Sequence, residues 1–478
     1  MTAILGAGIA GLSAAYYALQ NPKVGPLVLL EASNRVGGWI RSIKQADGTV
    51  FEKGPRVMRI LYTSDSALNS LSLIEELGLS SKFIPIKMSH PSVQNRYIYA
   101  DNAIHLVPSS LKGLLTKNSL LNRPLSSLIV NDFKAERVSK DDESIHSFIE
   151  RRFGKDVAEK LAAPVLCGIS GGDVHELSAK SFMPKIFKVE QEHGSVFLGL
   201  VKQKYSDYKK RKAEAKHVQN SRKTYGNIIE RSKREGWCRW GLEGGLEQLP
   251  QALAENISKR GVNMKLEHNC EKMVFNKDSV ELTVNGKVEK YSRVISSLPA
   301  RNLGDLVKEQ HPELSKELHS IPTVTIAVVN LQYPTNVLPL NGFGVLVAPK
   351  EKIPILGVIF DSCVFPQNSN MTVLTVMMGG AWFEKYFGQC SSDEQLKTVA
   401  IKYLNEILRI NDDPKAYNVS ILKNCIPQYV VGHEQRLKCI HDYISTHKIP
   451  LGLCGSSYHG IAVSDVILSA KEAISNID

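Results

Sequence analysis

An α/β fold is predicted, with a Rossmann-like nucleotide-binding domain built from discontinuous segments and an α+β domain inserted between them. Three observations carry this reading. Thr2-Ala3-Ile4-Leu5 is a short apolar run that enters Gly6-Ala7-Gly8-Ile9-Ala10-Gly11 and then Leu12-Ser13-Ala14-Ala15, a G-x-G-x-x-G turn between strand and helix. Segment 271–297 alternates like antiparallel strands around the turn Asn285-Gly286 and ends in the buried-strand run Val294-Ile295-Ser296. Leu451-Gly452-Leu453-Cys454-Gly455 repeats the strand-to-turn signal near the far end. A helix follows there with apolar Val463, Ile467, Ala470 and Ile474 on one face.

In the first unit, the first glycine permits the tight turn, the second lets a pyrophosphate approach the backbone, and the third lets helix and strand pack closely. The helix N-terminus behind them offers free N–H groups and a positive dipole end. Val28-Leu29-Leu30 reads as the second parallel strand and ends at Glu31, twenty residues beyond Gly11. An acidic residue at that spacing hydrogen-bonds a ribose 2′-hydroxyl, which disfavours NADP.

Glu31-Ala32-Ser33-Asn34-Arg35-Val36-Gly37-Gly38-Trp39 resembles the E-x-x-x-R-x-G-G segment of the FAD-dependent amine oxidase and phytoene desaturase superfamily. That resemblance implies FAD, with the paired glycines passing close to its diphosphate. The residues agree: Gly37-Gly38 allows close backbone approach, and Arg35 supplies positive charge beside a diphosphate.

Further along, Thr49-Val50-Phe51-Glu52 is strand-like and leads to Gly54-Pro55-Arg56-Val57, and 66–79 reads as a helix ending at Gly78. Alternation marks Arg96-Tyr97-Ile98-Tyr99 and His105-Leu106-Val107, and 144–162 reads as helices broken at Gly154. A second strand set lies at Val324–Leu331 and Val373–Met378. The domain expectation is a nucleotide-binding part at 1–85, a helical membrane-docking and substrate region at 86–201 and a basic insertion at 202–235. The second nucleotide-binding part spans 236–300, the substrate sheet 301–424 and the third nucleotide-binding part 425–478.

The 478 residues suffice for two or three domains, and 43% hydrophobic with 22% charged is ordinary globular composition. The eight cysteines show no C-x-x-C pair or metal-ligand spacing, so reduced thiols are expected, with neither a disulfide framework nor a metal site. No run of 18 uncharged apolar residues occurs, so any membrane contact is expected from one side. No basic, acid-poor leader precedes the first strand, and no cleavable targeting peptide is expected.

The net charge of +11 is concentrated between Lys202 and Glu235, where twelve Lys and Arg face four Asp and Glu. This stretch reads as a solvated helix or insertion suited to anionic lipid head groups. No nucleic-acid-binding motif accompanies it, and no nucleic-acid partner is expected. Residues 105–130 combine leucines with basic residues and no aspartate or glutamate, a composition that fits a helical patch on a membrane or a leucine-rich core pair.

Over nearly its whole length the chain resembles the eukaryotic, oxygen-dependent protoporphyrinogen oxidases. The segments that carry the resemblance are GGWIRS (37–42), FEKGPR (51–56), HPSVQNRYIY (90–99), GGLEQLPQAL (244–253), IAVVNLQY (326–333), NCIPQY (424–429) and GSSYHGIAVSD (455–465). The resemblance implies oxidation of protoporphyrinogen IX to protoporphyrin IX in three two-electron rounds, with O2 reoxidising FAD to give peroxide. It also implies peripheral attachment to the inner mitochondrial membrane, a homodimer and contact with the neighbouring haem-pathway enzyme.

By the same resemblance Arg96 anchors a substrate propionate, and its planar fork suits a carboxylate. Phe343, Gly344, Leu346 and Met377 match the ring-packing wall, and Gly168 matches a glycine whose backbone faces the macrocycle. Ser170 stands where the family carries a bulkier aromatic residue. Arg56 matches a position beside the flavin or at the substrate mouth, and Ser456, Ile461, Ala462 and Val463 match the motif that closes the flavin site. No acid–base residue is assigned, because the flavin carries the chemistry. Two other readings stand beside this one. The first is an amine oxidase or carotenoid desaturase of the same superfamily, which leaves QNRY, NLQY and NCIPQY without a role. The second is a non-catalytic flavin-binding member of a haem-synthesis complex.

Overall fold

The structure, a computed structural model, describes residues 1–108, 111–217, 227–365, 371–389 and 391–477, with backbone alone at 111–112 and 207–217. Five parallel strands form the nucleotide-binding sheet in the order Asn263–Lys265, Leu27–Leu30, Thr2–Leu5, Arg293–Ser296 and Leu451–Leu453. The strands come from three separated stretches of the chain. Their side chains alternate between two cores. Ile4, Leu29 and Ile295 point to helices Ile9–Ala18, Gln248–Lys259 and Val463–Ser475. Ala3, Leu5, Val28, Leu30 and Val294 point to the antiparallel sheet Cys270–Phe275, Val280–Val284 and Lys287–Tyr291, with helices Ala300–Val307 and Pro312–His319 behind it.

The second large sheet has seven strands in the order Ala416–Pro427, Thr323–Tyr333, Thr372–Gly380, Ile355–Ile359, Gly344–Val347, Tyr97–Ala100 and Ala103–Leu106. One face, with Val329, Leu331, Val345, Val358, Val376 and Met378, is sealed by Leu396, Ala400, Leu404 and Ile407 of helix Asp393–Leu408. Each fully buried side chain of this kind contributes about 1.5–3 kcal/mol. Two strands that 86–201 was expected to keep, Tyr97–Ala100 and Ala103–Leu106, instead form the sheet edge, and Ala416–Pro427 runs through the expected boundary at 424. Period-2 alternation reveals a strand but not the sheet it joins.

The leucine-rich stretch 105–130 is not a helix pair. Ala103–Leu106 is a strand, Leu111–Leu115 a short helix, and Lys117–Asn118 pairs with Arg123–Pro124 before helix Ser127–Lys134 begins. Pro108 and Pro124 interrupt it, and proline removes the N–H that a continuing helix needs. In the basic segment, helix Val196–His217 is followed by Asn227–Glu235. The latter is not simply solvated: Ile228, Ile229 and Ser232 are buried, against helix Asp65–Glu76. Residues 218–226 of the expected basic insertion lie outside the described residues. Gly154 breaks the helix ending at Phe153 with φ +101°, as its position predicts.

Candidate functional site

The glycine turn is built as a phosphate cradle must be. Gly6 has φ +93°, and a Cβ there would lie 2.8 Å from Ser297 Oγ. At Gly11 a Cβ would stand 1.9 Å from the Gly6 carbonyl oxygen, so only glycine lets the helix sit this close to the strand. Among the described residues, and leaving aside its chain neighbours, Gly38 Cα at 3.9 Å is the only atom within 4 Å of a Cβ added at Gly8, and no side chain caps the helix that begins at Ile9. The turn therefore presents uncapped N–H groups and the positive helix end to open space.

The second glycine pair lies directly against the first turn. Gly8 and Gly37 form a parallel bridge, and Gly37 N–H donates to Ala7 O at 2.8 Å. Glu31, at the end of the second strand, accepts from Ala7 N–H at 2.7 Å through Oε2 and from Ser33 N–H and Oγ–H through Oε1. Its carboxylate is thus fixed beside the turn, with lone pairs left for a ribose hydroxyl. Arg35 braces the loop by donating to Val36 O and Gly38 O. Burial, then nearby Arg41, holds the Arg35 guanidinium below its ordinary value, and Lys53 is lowered by burial and the same cations. A cation-rich lip of this kind suits a diphosphate. Ala32 and Trp39 are exposed at the rim, and the Trp39 carbonyl packs so closely that a Cβ at Gly54 would meet it at 2.1 Å.

The C-terminal motif reaches the same place. A Cβ on Gly455, which has φ +110°, would touch Ala10 Cβ at 3.5 Å. Tyr429 O–H donates to Ser456 O at 2.5 Å. Ile461 and Val463 are half-buried, Ala462 is exposed, and the helix starting at Val463 has no side-chain cap. Two uncapped helix N-termini, a fixed glutamate and a glycine-lined backbone channel fit an adenine dinucleotide such as FAD.

Arg56 has a destination that the sequence does not disclose. Its buried guanidinium pairs with Asp361 at 2.7 Å and donates to Thr375 Oγ1 and Glu52 O. Thr375 Oγ1–H donates to Asp361 Oδ2, and Asn330 Nδ2 donates to both Thr375 Oγ1 and Glu52 O. This network joins the Gly54–Val57 segment to the floor of the seven-stranded sheet. Glu52 itself accepts from Ser42 Oγ and Leu246 N–H, yet burial raises its pKa to about 7. The available signals were the polar Asn330 and Thr375 inside otherwise apolar strands.

The candidate substrate residues converge through sheet register. Leu346 lies opposite Gly357 and Ile98, Gly357 opposite Met377, and Met377 opposite Val328, so these residues share one face. Leu346 and Met377 are half-buried, whereas their neighbours Val345, Val347, Val376 and Met378 are sealed on the opposite face. Gly344 has φ +152°, and a Cβ would lie 2.1 Å from Val358 O. Gly168, on helix Ala163–Ser170, faces Leu346 so closely that a Cβ would meet Leu346 Cδ2 at 2.4 Å. Ser170 is buried and donates to Leu166 O, and its hydroxyl accepts from Gly172 N–H. Phe343 and Val57 pack in one cluster, which links the wall to the glycine-rich segment. Arg96 stands exposed at the start of the strand beside Gly344. Among the described residues no group of histidine, cysteine, aspartate or glutamate could hold a metal, and the cysteines are free.

Comparison with known proteins agrees with this geometry. Residues 9–477 match the model of the flavin containing amine oxidoreductases. The chain is 36% identical to protoporphyrinogen oxidase of Bos taurus over 99% of its own length and 97% of the relative's. It is 31% identical to protoporphyrinogen oxidase of Schizosaccharomyces pombe over 98% and 96% of the two chains. A solved structure from Exiguobacterium sp. superposes with a TM-score of 0.79 at 22% identity, covering 100% of this chain and 98% of its own. That likeness speaks for the fold. A split glycine cradle, a match across almost the whole chain and relatives above 30% identity together place this chain in the flavin-containing amine oxidoreductase family, among the protoporphyrinogen oxidases, as an FAD-dependent oxidase.

Proposed function

We propose that the chain oxidises protoporphyrinogen IX to protoporphyrin IX in haem biosynthesis, with O2 as the final acceptor and hydrogen peroxide as by-product. The observation that carries this reading is the single sheet face on which Leu346, Met377 and Gly344 come together beside Arg96. FAD supplies the hydride acceptor when bound. The protein's own part is to hold the substrate. Gly6, Gly8, Gly11, Gly37 and Gly38 present backbone to the cofactor diphosphate, and Glu31 orients a ribose hydroxyl. Leu346, Met377 and Phe343 supply an apolar wall for a flat macrocycle, and Gly168 sets the width of the slot opposite Leu346. Arg96 pairs with one propionate and fixes which edge of the ring enters. The Arg56–Asp361 pair keeps this face at a constant distance from the glycine cradle. An apolar wall also excludes water from the reacting carbons.

Protein purified with FAD should raise porphyrin fluorescence above the autoxidation rate when protoporphyrinogen IX is added under air. No excess rate with FAD bound would favour a non-catalytic flavin-binding role instead.

Peripheral membrane attachment is part of the proposal. Leu115, Val130 and Phe133 are more than half exposed, and Val201 projects from the neighbouring helix at 67% exposure beside Lys202 and Lys204. Exposed apolar side chains bordered by lysines suit an anionic membrane surface such as the inner mitochondrial membrane. No helix among the described residues is long and apolar enough to cross one. A homodimer, and contact with the neighbouring haem-pathway enzyme, belong to the same proposal.

A further inference from the structure

We infer that Arg239, with Arg59 and Arg96, forms a two-carboxylate clamp at the mouth of the macrocycle slot, so that both propionates of the substrate are gripped rather than one. This rests on the porphyrinogen reading above. Strand Trp237–Leu242 pairs antiparallel with Met58–Arg59, which sets Arg239 directly opposite Arg59. On its other edge the same strand pairs with Phe83–Lys87. The Arg239 guanidinium donates to Ser92 O at 3.0 Å, four residues before Arg96, and lies over the Phe343 ring with its central carbon 4.5 Å from the centroid. Phe343 in turn is tied to the same turn, donating N–H to Asn95 O. One side of the Arg239 side chain therefore rests on the aromatic wall of the slot, and the propionate anchor Arg96 is its neighbour.

The charges around this point are one-sided. Like charges directly opposite in an antiparallel ladder destabilise it, and here the pair is Arg59 and Arg239. Burial, then Arg96, pushes the Arg239 guanidinium down to about 10, and Arg59 adds to the effect. None of the three arginines forms an ion pair with a carboxylate among the described residues. Segment 366–370, next in sequence to the neighbouring Phe365, contains no aspartate or glutamate. Elsewhere among the described residues buried and half-buried arginines are matched: buried Arg56 has Asp361, buried Arg152 has Asp132, and half-buried Arg151 has Glu143 and Glu190. Three cations converging on a slot without an acidic partner call for an anionic ligand, and the forked geometry of Arg239 suits a carboxylate. The half-buried Arg239 takes one propionate, and Arg96 the other. Arg59 strengthens the local field at the exposed rim.

The test uses FAD-loaded full-length protein and two fluorescent probes, protoporphyrin IX and its dimethyl ester, which lacks both carboxylates. R239Q should weaken binding of the diacid roughly ten- to hundredfold, the scale of a lost hydrogen bond to a charged group. It should leave binding of the diester within about twofold of the parent, well below that scale. R239K, which keeps the charge and loses the fork, should fall between. R59Q, on an exposed side chain away from the Phe343 packing, should weaken the diacid alone by a smaller factor and show a shallower salt dependence. In turnover, R239Q should raise KM for protoporphyrinogen while kcat and FAD occupancy stay close to the parent. Equal loss of diacid and diester would assign Arg239 a packing role, and no loss of either would remove it from the site; each overturns the clamp. Turnover in the parent with R239Q indistinguishable from it would refute the clamp and leave the oxidase reading intact. Arg239-dependent diacid binding without turnover would do the reverse.

Discussion

The glycine cradle and the proposed macrocycle wall are built on opposite plans. The cradle is made of backbone, and most of its requirements are local. Gly6 needs positive φ, Gly11 needs no Cβ, and Glu31 needs only to end the neighbouring parallel strand. The proposed wall is made of residues from five strands and a helix, and most of its contacts join segments far apart in sequence. Leu346 meets Gly357 and Gly168 only because the register of the seven-stranded sheet and the placement of helix Ala163–Ser170 bring them together. A cofactor site of the first kind tolerates almost no substitution, whereas a wall of the second kind is tunable.

That difference sets the sizes of the expected effects. The largest belongs to the cradle. Gly11→Val places a side chain where even a Cβ would be 1.9 Å from a carbonyl oxygen, and the protein should purify without flavin colour and without turnover. Retention of full flavin occupancy would show that the cradle is less rigid than its packing indicates.

Next comes the network that couples the two regions. Asp361→Ala leaves the Arg56 guanidinium buried and unpaired, which costs about 3–5 kcal/mol. Urea unfolding should report that loss, and a change below about 1 kcal/mol would mean that the pair does not hold cradle and wall together.

Smaller effects are expected on the wall alone. Gly168→Val must displace Leu346, and Leu346→Ala widens the same slot. Both should raise KM for the porphyrinogen several-fold and leave FAD occupancy unchanged. Loss of flavin from either would break the separation between the two regions.

The smallest is a pH effect. Burial raises the Glu52 carboxyl from 4.5 to about 7, so the folded protein binds its proton more tightly than the unfolded chain does. Its contribution to stability is therefore fully present below about pH 4.5 and is lost as the pH rises through about 7. Glu52→Gln should flatten the stability profile across that window, as measured by urea midpoints. An unchanged slope would place the titration elsewhere.

How much was legible in the sequence follows the same division. The parallel strands at both ends of the chain could be read from apolar runs that enter glycine turns, because a backbone cradle writes its geometry into consecutive residues. The bridge between Gly8 and Gly37, by contrast, is visible only in the fold. The partner of Arg56 could not be read from the sequence, since Asp361 lies 305 residues away and only the fold brings them together. Arg239 gave no signal either. In Trp237–Leu242 it reads as a polar residue in a strand, and its meaning depends on being registered against Arg59 and laid over Phe343. The leucines of 105–130 misled in the other direction, because composition without a sustained helical period does not specify a continuous helix pair, and only short helices form there.

The most direct test is a single turnover without oxygen. Protein loaded with oxidised FAD is mixed anaerobically with protoporphyrinogen IX while flavin absorbance and porphyrin fluorescence are followed together. Bleaching of the yellow flavin by the porphyrinogen, at a rate slowed in Leu346→Ala at subsaturating substrate, is the predicted result. A flavin that stays oxidised in the presence of the porphyrinogen would contradict the assignment of this sheet face as the wall of a porphyrinogen oxidase.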